Sequence, residues 1–373
     1  MSQLDRITIK GYKSIRELND FQLKPLNILI GANGAGKSNF VMLFDLLQNI
    51  ISGNLQLTVG RSGGVDPFLY FGQKITEKIE LELWFGSNGY KLGLLPGEGD
   101  MFVFSEETVC DHDKKHQFES RFGTGGHKES LLKGFVNGTH ILIGGGAQLK
   151  KKIATGIFKS ITNWQIYHFH DTSDSARVKK NGDIGDNLFL RTDASNLATY
   201  LYLLKETKGK YYDNIVDVIR LVTPFFDDFV LRPSPFNEDK IKLEWRERGS
   251  DSYFDANSLS DGTLRFICLA TLLLQPKLPE IILLDEPELG LHPYAITILA
   301  ELLISASKKT QVIVSTQSVT LVDQFTPDDI IIVDREDGQS TFNRPLTEEI
   351  SSWLNEYSLG ELWQKNIIGG RPK

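Results

Sequence analysis

Three observations in the sequence predict an α/β fold with a parallel sheet. A glycine-rich loop lies near the N-terminus, between a short apolar segment and an apolar helical one. A second apolar segment, far downstream, ends in two adjacent carboxylates. Between them the pattern changes from glycine-punctuated strand signals to helical spacing.

The chain has 373 residues, 40% of them apolar, which is enough to bury a sizeable core. Its first residues lack the basic-then-apolar order of a signal peptide. Runs such as Ile281 to Leu284 and Ile330 to Val333 are far shorter than the roughly 20 residues that cross a bilayer. No membrane association and a cytoplasmic location are therefore expected. The two cysteines, Cys110 and Cys268, stand in unrelated contexts and read as buried thiols. A net charge of −7 argues against a chain-wide grip on nucleic acid. The lysines at 150–152, at 179 and 180, and at 205, 208 and 210 read as solvated surface.

The first element is Gly31-Ala-Asn-Gly-Ala-Gly-Lys37-Ser38, which matches G-x-x-x-x-G-K-[ST] at every fixed position. Leu26 to Ile30 before it reads as a buried strand, and Asn39 to Ile50 after it reads as a helix. Phosphates need many N–H donors at close range. Gly31, Asn33, Gly34, Ala35 and Gly36 let the backbone curl so that its amides converge, and the helix beginning near Asn39 adds its dipole. Lys37 is expected to reach the β- and γ-phosphates, and Ser38 to ligate Mg²⁺.

The second element is Ile281-Ile-Leu-Leu284-Asp285-Glu286-Pro287, read as a strand buried on both faces with its acids at the carboxyl end. Asp285 would hold Mg²⁺ through its water shell, and Glu286 would orient and deprotonate an attacking water.

The third is Leu259-Ser260-Asp261-Gly262-Thr263, followed by an apolar helix from Leu264 to Leu274. Locally this is an N-cap, in which Ser260 or Asp261 satisfies orphan amides. The same serine at a helix N-terminus facing solvent also makes an anion clamp. The segment resembles the signature loop of ABC ATPases, and its order relative to the other two motifs is that of the family. The resemblance implies that Ser260 and Gly262 touch the γ-phosphate held by a second copy, so ATP and Mg²⁺ would drive head-to-head pairing. Glu288-Leu-Gly-Leu291-His292-Pro293 matches the D-loop place of the SMC, RecF and OLD branch. Gln317, after the strand pattern Gln311 to Val314, stands at the switch position, where most ABC ATPases carry histidine. Glutamine still donates a hydrogen bond to the γ-phosphate but does not titrate, so slow, partner-regulated hydrolysis is expected. Gln73 is the candidate for the Q-loop. Ile7 to Arg16 resembles the opening strand and turn of RecF-like ATPases, which would place Lys13 and Ser14 beside the nucleotide.

These motifs imply a P-loop NTPase with an ABC-ATPase head over residues 1–373. Its nucleotide-binding core is expected from 1–55 and 255–345. An inserted antiparallel β subdomain is expected over 60–165 and a helical signature lobe over 175–255, with a C-terminal helix or tail over 346–373. No heptad run of three or more repeats occurs, so no coiled-coil arm is expected. His168 and His170, with Asp171, present metal-ligand types at close spacing, as do His112 and His116 beside Asp111 and Asp113. On a strand, His168 and His170 would share one face while Tyr167 and Phe169 packed on the other.

Two functions compete. The chain resembles stand-alone AAA family ATPases of bacterial phage-defence and toxin systems. That implies an ATP-gated homodimer controlling a separate effector protein, a nuclease or toxin. OLD-class relatives append a TOPRIM nuclease, for which no room is seen after the ATPase motifs. The alternative is a DNA repair or processing ATPase that clamps duplex DNA in the RecF manner, which needs a basic face formed by the dimer. A transporter subunit fits poorly with Gln317 and the long middle region.

Overall fold

The computed structural model describes residues 3–112, 118–139, 147–345 and 347–371. The chain divides into two compact units. The first comprises residues 1–164, 327–355 and 362–373, and the second 165–326 and 356–361.

The first unit contains a six-stranded antiparallel sheet. Its order is Ile15–Gln22, Arg6–Tyr12, Ile79–Phe85, Asn88–Gly97, Met101–Asp111 and Phe118–Arg121. In the Arg6–Tyr12 strand, Ile7 and Ile9 are buried while Arg6, Thr8 and Lys10 alternate with them, so one face is apolar and one wet. That alternation draws residues 6–22 into the antiparallel sheet, although they were expected within the nucleotide-binding core. The Leu26–Ile30 strand behaves differently. All five residues are buried, and it pairs in parallel with Ile330–Glu336, with Ile28 opposite Ile330 and Ile30 opposite Ile332. Ile330–Glu336 in turn pairs antiparallel with Gln339–Asn343.

Two helices, Leu132–Asn137 and Ala147–Thr162, lie within the stretch expected to be β-rich. The cause is legible in the spacing of Ile153, Ala154, Ile157 and Ile161, which line one face of the second helix and are buried. Lys151 and Lys152 lie exposed on it. Gln48, on the Lys37–Ser52 helix, donates to the carbonyls of Ile161 (3.1 Å) and Trp164 (2.6 Å), closing the end of the later helix.

In the second unit, Ile281–Asp285 pairs in parallel with Gln311–Ser315, so that Asp285 stands opposite Ser315. The helices Leu197–Thr207, Gly209–Val222, Asp261–Leu274 and Pro293–Ser307 accompany this pair, with a short one at Val319–Val322. The expected helical lobe is helical only to Val222. Beyond it the chain builds the sheet Phe226–Val230, Glu244–Glu247 and Tyr253–Asp255. Phe226, Phe229 and Trp245 close its core, with ring centroids at 4.8 and 6.0 Å from that of Phe226. Aromatic, period-two segments such as Phe226 to Val230 favour a pleated surface over a helix. The tail carries two short α-helices, Thr347–Ile350 and Leu359–Gln364, with a 3₁₀ turn at Trp353–Asn355. The longest helices among the described residues have 16 residues, and no arm is inserted there.

Candidate nucleotide site

In the first unit, the Leu26–Ile30 strand delivers the chain to the glycine loop, and the Lys37–Ser52 helix leaves it. Gly31, Gly34 and Gly36 all have positive φ (153°, 76° and 117°). At Gly31 a Cβ would lie 2.1 Å from the Val333 carbonyl oxygen, so the neighbouring strand forbids any side chain. At Gly36 it would lie 2.8 Å from the Ser14 hydroxyl and closer still to that of Ser340. Lys37 is buried, its Nζ donating to the carbonyls of Gly31 (2.7 Å) and Ala32 (3.0 Å). The ammonium is thus held inside the loop's curve. Asn33, Gly34 and Ser38 are exposed, and Ala35 is buried. The Ser38 hydroxyl is a hard oxygen donor of the kind Mg²⁺ takes.

Lys13 and Ser14 form the tight turn between the first two strands, with Lys13 at φ 47°. Ser14 supports the loop. Its Oγ accepts from Asn39 Nδ2 (2.7 Å) and lies 2.7 Å from Ser340 Oγ, whose hydroxyl donates to the Ala35 carbonyl. Ser340 is a residue the motif reading missed. It lies three hundred residues from the loop in sequence, in a strand with no pattern of its own to mark it. Burial lowers the Lys13 ammonium from its ordinary value. Gln73 is exposed in a turn, its N–H held by Asp66 Oδ1 at 2.9 Å.

In the second unit, the carboxyl ends of two adjacent strands bring the acids to their partners. The Ser315 hydroxyl donates to Asp285 Oδ1, and Gln317 Nε2 donates to Glu286 Oε1. Glu286 has φ 44°, and its N–H donates to the Ser315 carbonyl at 2.8 Å. A non-glycine residue in the left-handed region carries strain, which clusters where function requires a side chain to be aimed. Gln317 and the general-base candidate Glu286 are therefore in direct contact.

Glu288 is a second residue that the motif reading left without a role. It is buried, its Oε1 accepts from the Thr316 hydroxyl and the Gln317 N–H (3.3 Å), and Oε2 is buried with no hydrogen-bond partner. Burial raises its carboxyl above the ordinary value, and the charge of Glu286 adds to this. Thr316 and Gln317 are thereby fastened to the turn that follows the acid pair.

Ser260 caps the Asp261–Leu274 helix, its Oγ accepting from Thr263 N at 3.2 Å. A Cβ on Gly262 would lie 2.3 Å from the Gly290 carbonyl oxygen, so the helix start packs backbone to backbone against the turn after Glu288. Arg265, one turn on, is buried and donates to the carbonyls of Phe169 (3.0 Å) and His170 (3.2 Å).

The metal-ligand candidates fare differently. The strand ends at Tyr167, so His168 and His170 sit beyond it, exposed, with rings 6.5 Å apart. No cluster of three ligating side chains includes them among the described residues. Cys110, His112 and Glu119 do approach one another, but Lys91 Nζ already lies 3.0 Å from the Glu119 carboxylate. Burial also pushes the Cys110 thiol up to about 11, which keeps it protonated. Asp113 and His116 fall outside the described residues. Of the basic runs, Lys179 is buried, and Lys205 pairs with Asp228 at 3.1 Å.

A family model described as "AAA domain, putative AbiEii toxin, Type IV TA system" matches residues 147–323. The Old nuclease of Escherichia phage P2 is 24% identical over 390 residues, covering 93% of this chain. The chain spans 62% of that relative's length. Two solved structures share the fold. An Smc head bound to the C-winged helix domain of ScpA aligns with a TM-score of 0.56 and 17% identity, over 94% of this chain and 99% of that one. An Smc head with an extended coiled coil bound to the C-terminal domain of ScpA, from Pyrococcus furiosus, aligns at 0.53 and 16%, over 95% and 99%.

Proposed function

We propose that this chain is an ABC-type ATPase of the SMC, RecF and OLD group that hydrolyses Mg-ATP between two paired copies and thereby gates a separate effector protein. The observation that carries the reading is the glycine loop. It is a curled backbone segment at the N-terminus of a 16-residue helix, with Lys37 drawn into its curve.

In this reading Gly31, Asn33, Gly34, Ala35, Gly36 and Asn39 cradle the phosphates, and Lys37 neutralises the β- and γ-oxygens. Ser38 and Asp285 are the oxygen donors that would hold Mg²⁺, whose chemistry is to offset charge on the phosphate oxygens. Water attacks the γ-phosphorus in line. Its proton passes to Glu286 Oε as the new P–O bond forms, and the bond to the β-phosphate oxygen breaks to leave ADP. Gln317, hydrogen-bonded to Glu286, positions that carboxylate and senses the γ-phosphate without titrating. Ser260 and Gly262 of a second copy complete the anion cage. A cytoplasmic setting accompanies this reading, and among the described residues no helix is long and apolar enough to cross a membrane.

The test is light scattering of Glu286→Gln with saturating Mg-ATP, beside an assay of phosphate release. A dimer that forms only with Mg-ATP, and is lost in Lys37→Ala, supports the reading. A monomer under those conditions, or turnover at the wild-type rate, refutes it. The resemblance of the motifs to stand-alone ATPases of bacterial phage-defence and toxin systems supports a role in anti-phage defence. A stoichiometric protein that leaves the dimer in Lys37→Ala would identify the effector. Nuclease-sensitive, salt-dependent DNA in its place would transfer the proposal to DNA processing.

A further inference from the structure

A small sheet in the second unit leaves large apolar side chains in water at one end. Strand Pro233–Ser234 turns back through Pro235 and Phe236 into Asn237–Ile241, and Phe236 is fully exposed (100%). On the other edge of Asn237–Ile241, Gly182–Asp183 pairs antiparallel, with Asp183 opposite Lys240, and Ile184 N donates to the Asp239 carbonyl at 2.9 Å. The chain leaving Asp183 therefore runs toward the Phe236 turn. The loop that follows carries Leu188, 86% exposed, and Phe189, 61% exposed. A single exposed apolar residue is ordinary, but several at one end of a sheet mark a surface that meets something.

The loop is held in this shape. Buried Asn196 donates to the carbonyls of Asp186 (2.9 Å) and Phe189 (2.8 Å) and accepts from Arg191 N (2.9 Å). The charges around the patch narrow the partner. Glu238 and Asp239 are exposed and make no ion pair among the described residues, whereas Lys240 is matched by Asp183 (3.5 Å) and Arg191 by Asp186 (2.5 Å). Unmatched acids repel phosphate backbones and anionic lipid. A second copy docking by the same patch would bring like acids together. The strand's end is also joined to the signature segment. Lys242 Nζ lies 2.9 Å from Asp255 Oδ2, and Asp255 Oδ1 accepts from Asn257 N (2.9 Å), three residues before Ser260.

We propose that this end of the sheet is a docking surface for a partner protein that brings an apolar recess flanked by lysines or arginines. That this partner is the gated effector rests on the function proposed above, and the experiment separates the two claims.

The probe is a helical peptide of about 18 residues made only of leucine and lysine, beside its leucine–glutamate counterpart. Fluorescence anisotropy measures the Kd of each for the full chain. The leucine–lysine peptide should bind the wild type and weaken roughly ten-fold or more when Phe236→Ser and Leu188→Ser are combined. Glu238→Lys with Asp239→Lys should lose that peptide and take the leucine–glutamate one, an exchange that general stickiness does not give. None of these residues belongs to the nucleotide machinery, so Mg-ATP-dependent dimerisation and phosphate release should stay within about two-fold of the wild type. Peptide binding unmoved by Phe236→Ser, or equal binding of both peptides, overturns the surface. So does binding of the wild type to duplex DNA or phosphatidylcholine vesicles that Phe236→Ser abolishes. Nucleotide-free self-association lost in Phe236→Ser would assign the patch to a second copy and overturn the partner. Peptide exchange without Mg-ATP-dependent dimerisation keeps the surface and removes the gate.

Discussion

The glycine loop and the acid pair both sit at the carboxyl end of a buried strand, yet they are built from different materials. The loop is a backbone device. The close approach of Val333 to Gly31 and of Ser340 to Gly36 leaves no room for side chains there, and its one cation is held by carbonyls. The acid pair is a side-chain device, in which Ser315, Thr316 and Gln317 each reach one of Asp285, Glu288 and Glu286 in turn. A cradle of amides binds whatever anion fits. A chain of three side-chain pairs aims one carboxylate and couples it to its neighbours. Binding and chemistry are thus expected to separate on mutation.

The largest effect tests that separation. Lys37→Ala should lower Mg-ATP affinity by two orders of magnitude or more by calorimetry. Glu286→Gln should slow phosphate release by roughly 10²–10⁴-fold while affinity stays within a few-fold. Equal loss of affinity in both variants would break the comparison. Next comes Gly262→Ala, whose Cβ would meet the Gly290 carbonyl oxygen. Displacing that backbone should cost about 1–3 kcal/mol in thermal or denaturant unfolding. An unchanged Tm would show that the helix start yields freely.

Ser340→Ala removes the hydroxyl joining Ser14 to the Ala35 carbonyl, and about 1 kcal/mol of stability is expected to go with it. The loss should be smaller with Mg-ATP bound, if phosphate contacts restrain the loop in its place.

The smallest effect concerns Glu288. Its folded carboxyl is raised, so the native state binds its proton more tightly than the unfolded chain does. Stability from this group is present at low pH and is lost as pH rises from the ordinary carboxylate value through the raised one. Glu288→Gln keeps an acceptor for Thr316 and carries no charge. It should therefore unfold at a higher temperature than the wild type at pH 8, the gap closing by pH 4. A gap that widened toward low pH would reverse the assignment.

How far the sequence could be read differs between these regions for physical reasons. Gly31 to Ser38 is legible because amide convergence demands glycines at set spacings, and Asp285–Glu286 because two acids end an apolar run. Ser340 was not legible, since a serine that steadies a loop from another strand leaves no spacing to read. Glu288 opens the Glu288 to Pro293 segment, but only its burial against Thr316 separates it from a surface acid. The block boundaries were least legible. Residues 6–22 alternate as an antiparallel strand does, and the aromatic stretch from Phe226 to Asp255 overrode the helical pattern before it.

The sequence by itself determined the loop, the acid pair and the capped helix Asp261–Leu274. Each is a local pattern, set by backbone geometry within about a dozen residues. Only the tertiary structure decided that Gln317 holds Glu286, that Glu288 is buried with one oxygen unpaired, and that Ser14 braces the loop. It alone also left Phe236 exposed at the end of a sheet. Those contacts join residues tens to hundreds of positions apart, and it is strand pairing and packing, not spacing along the chain, that brings them within hydrogen-bond or ring-contact reach.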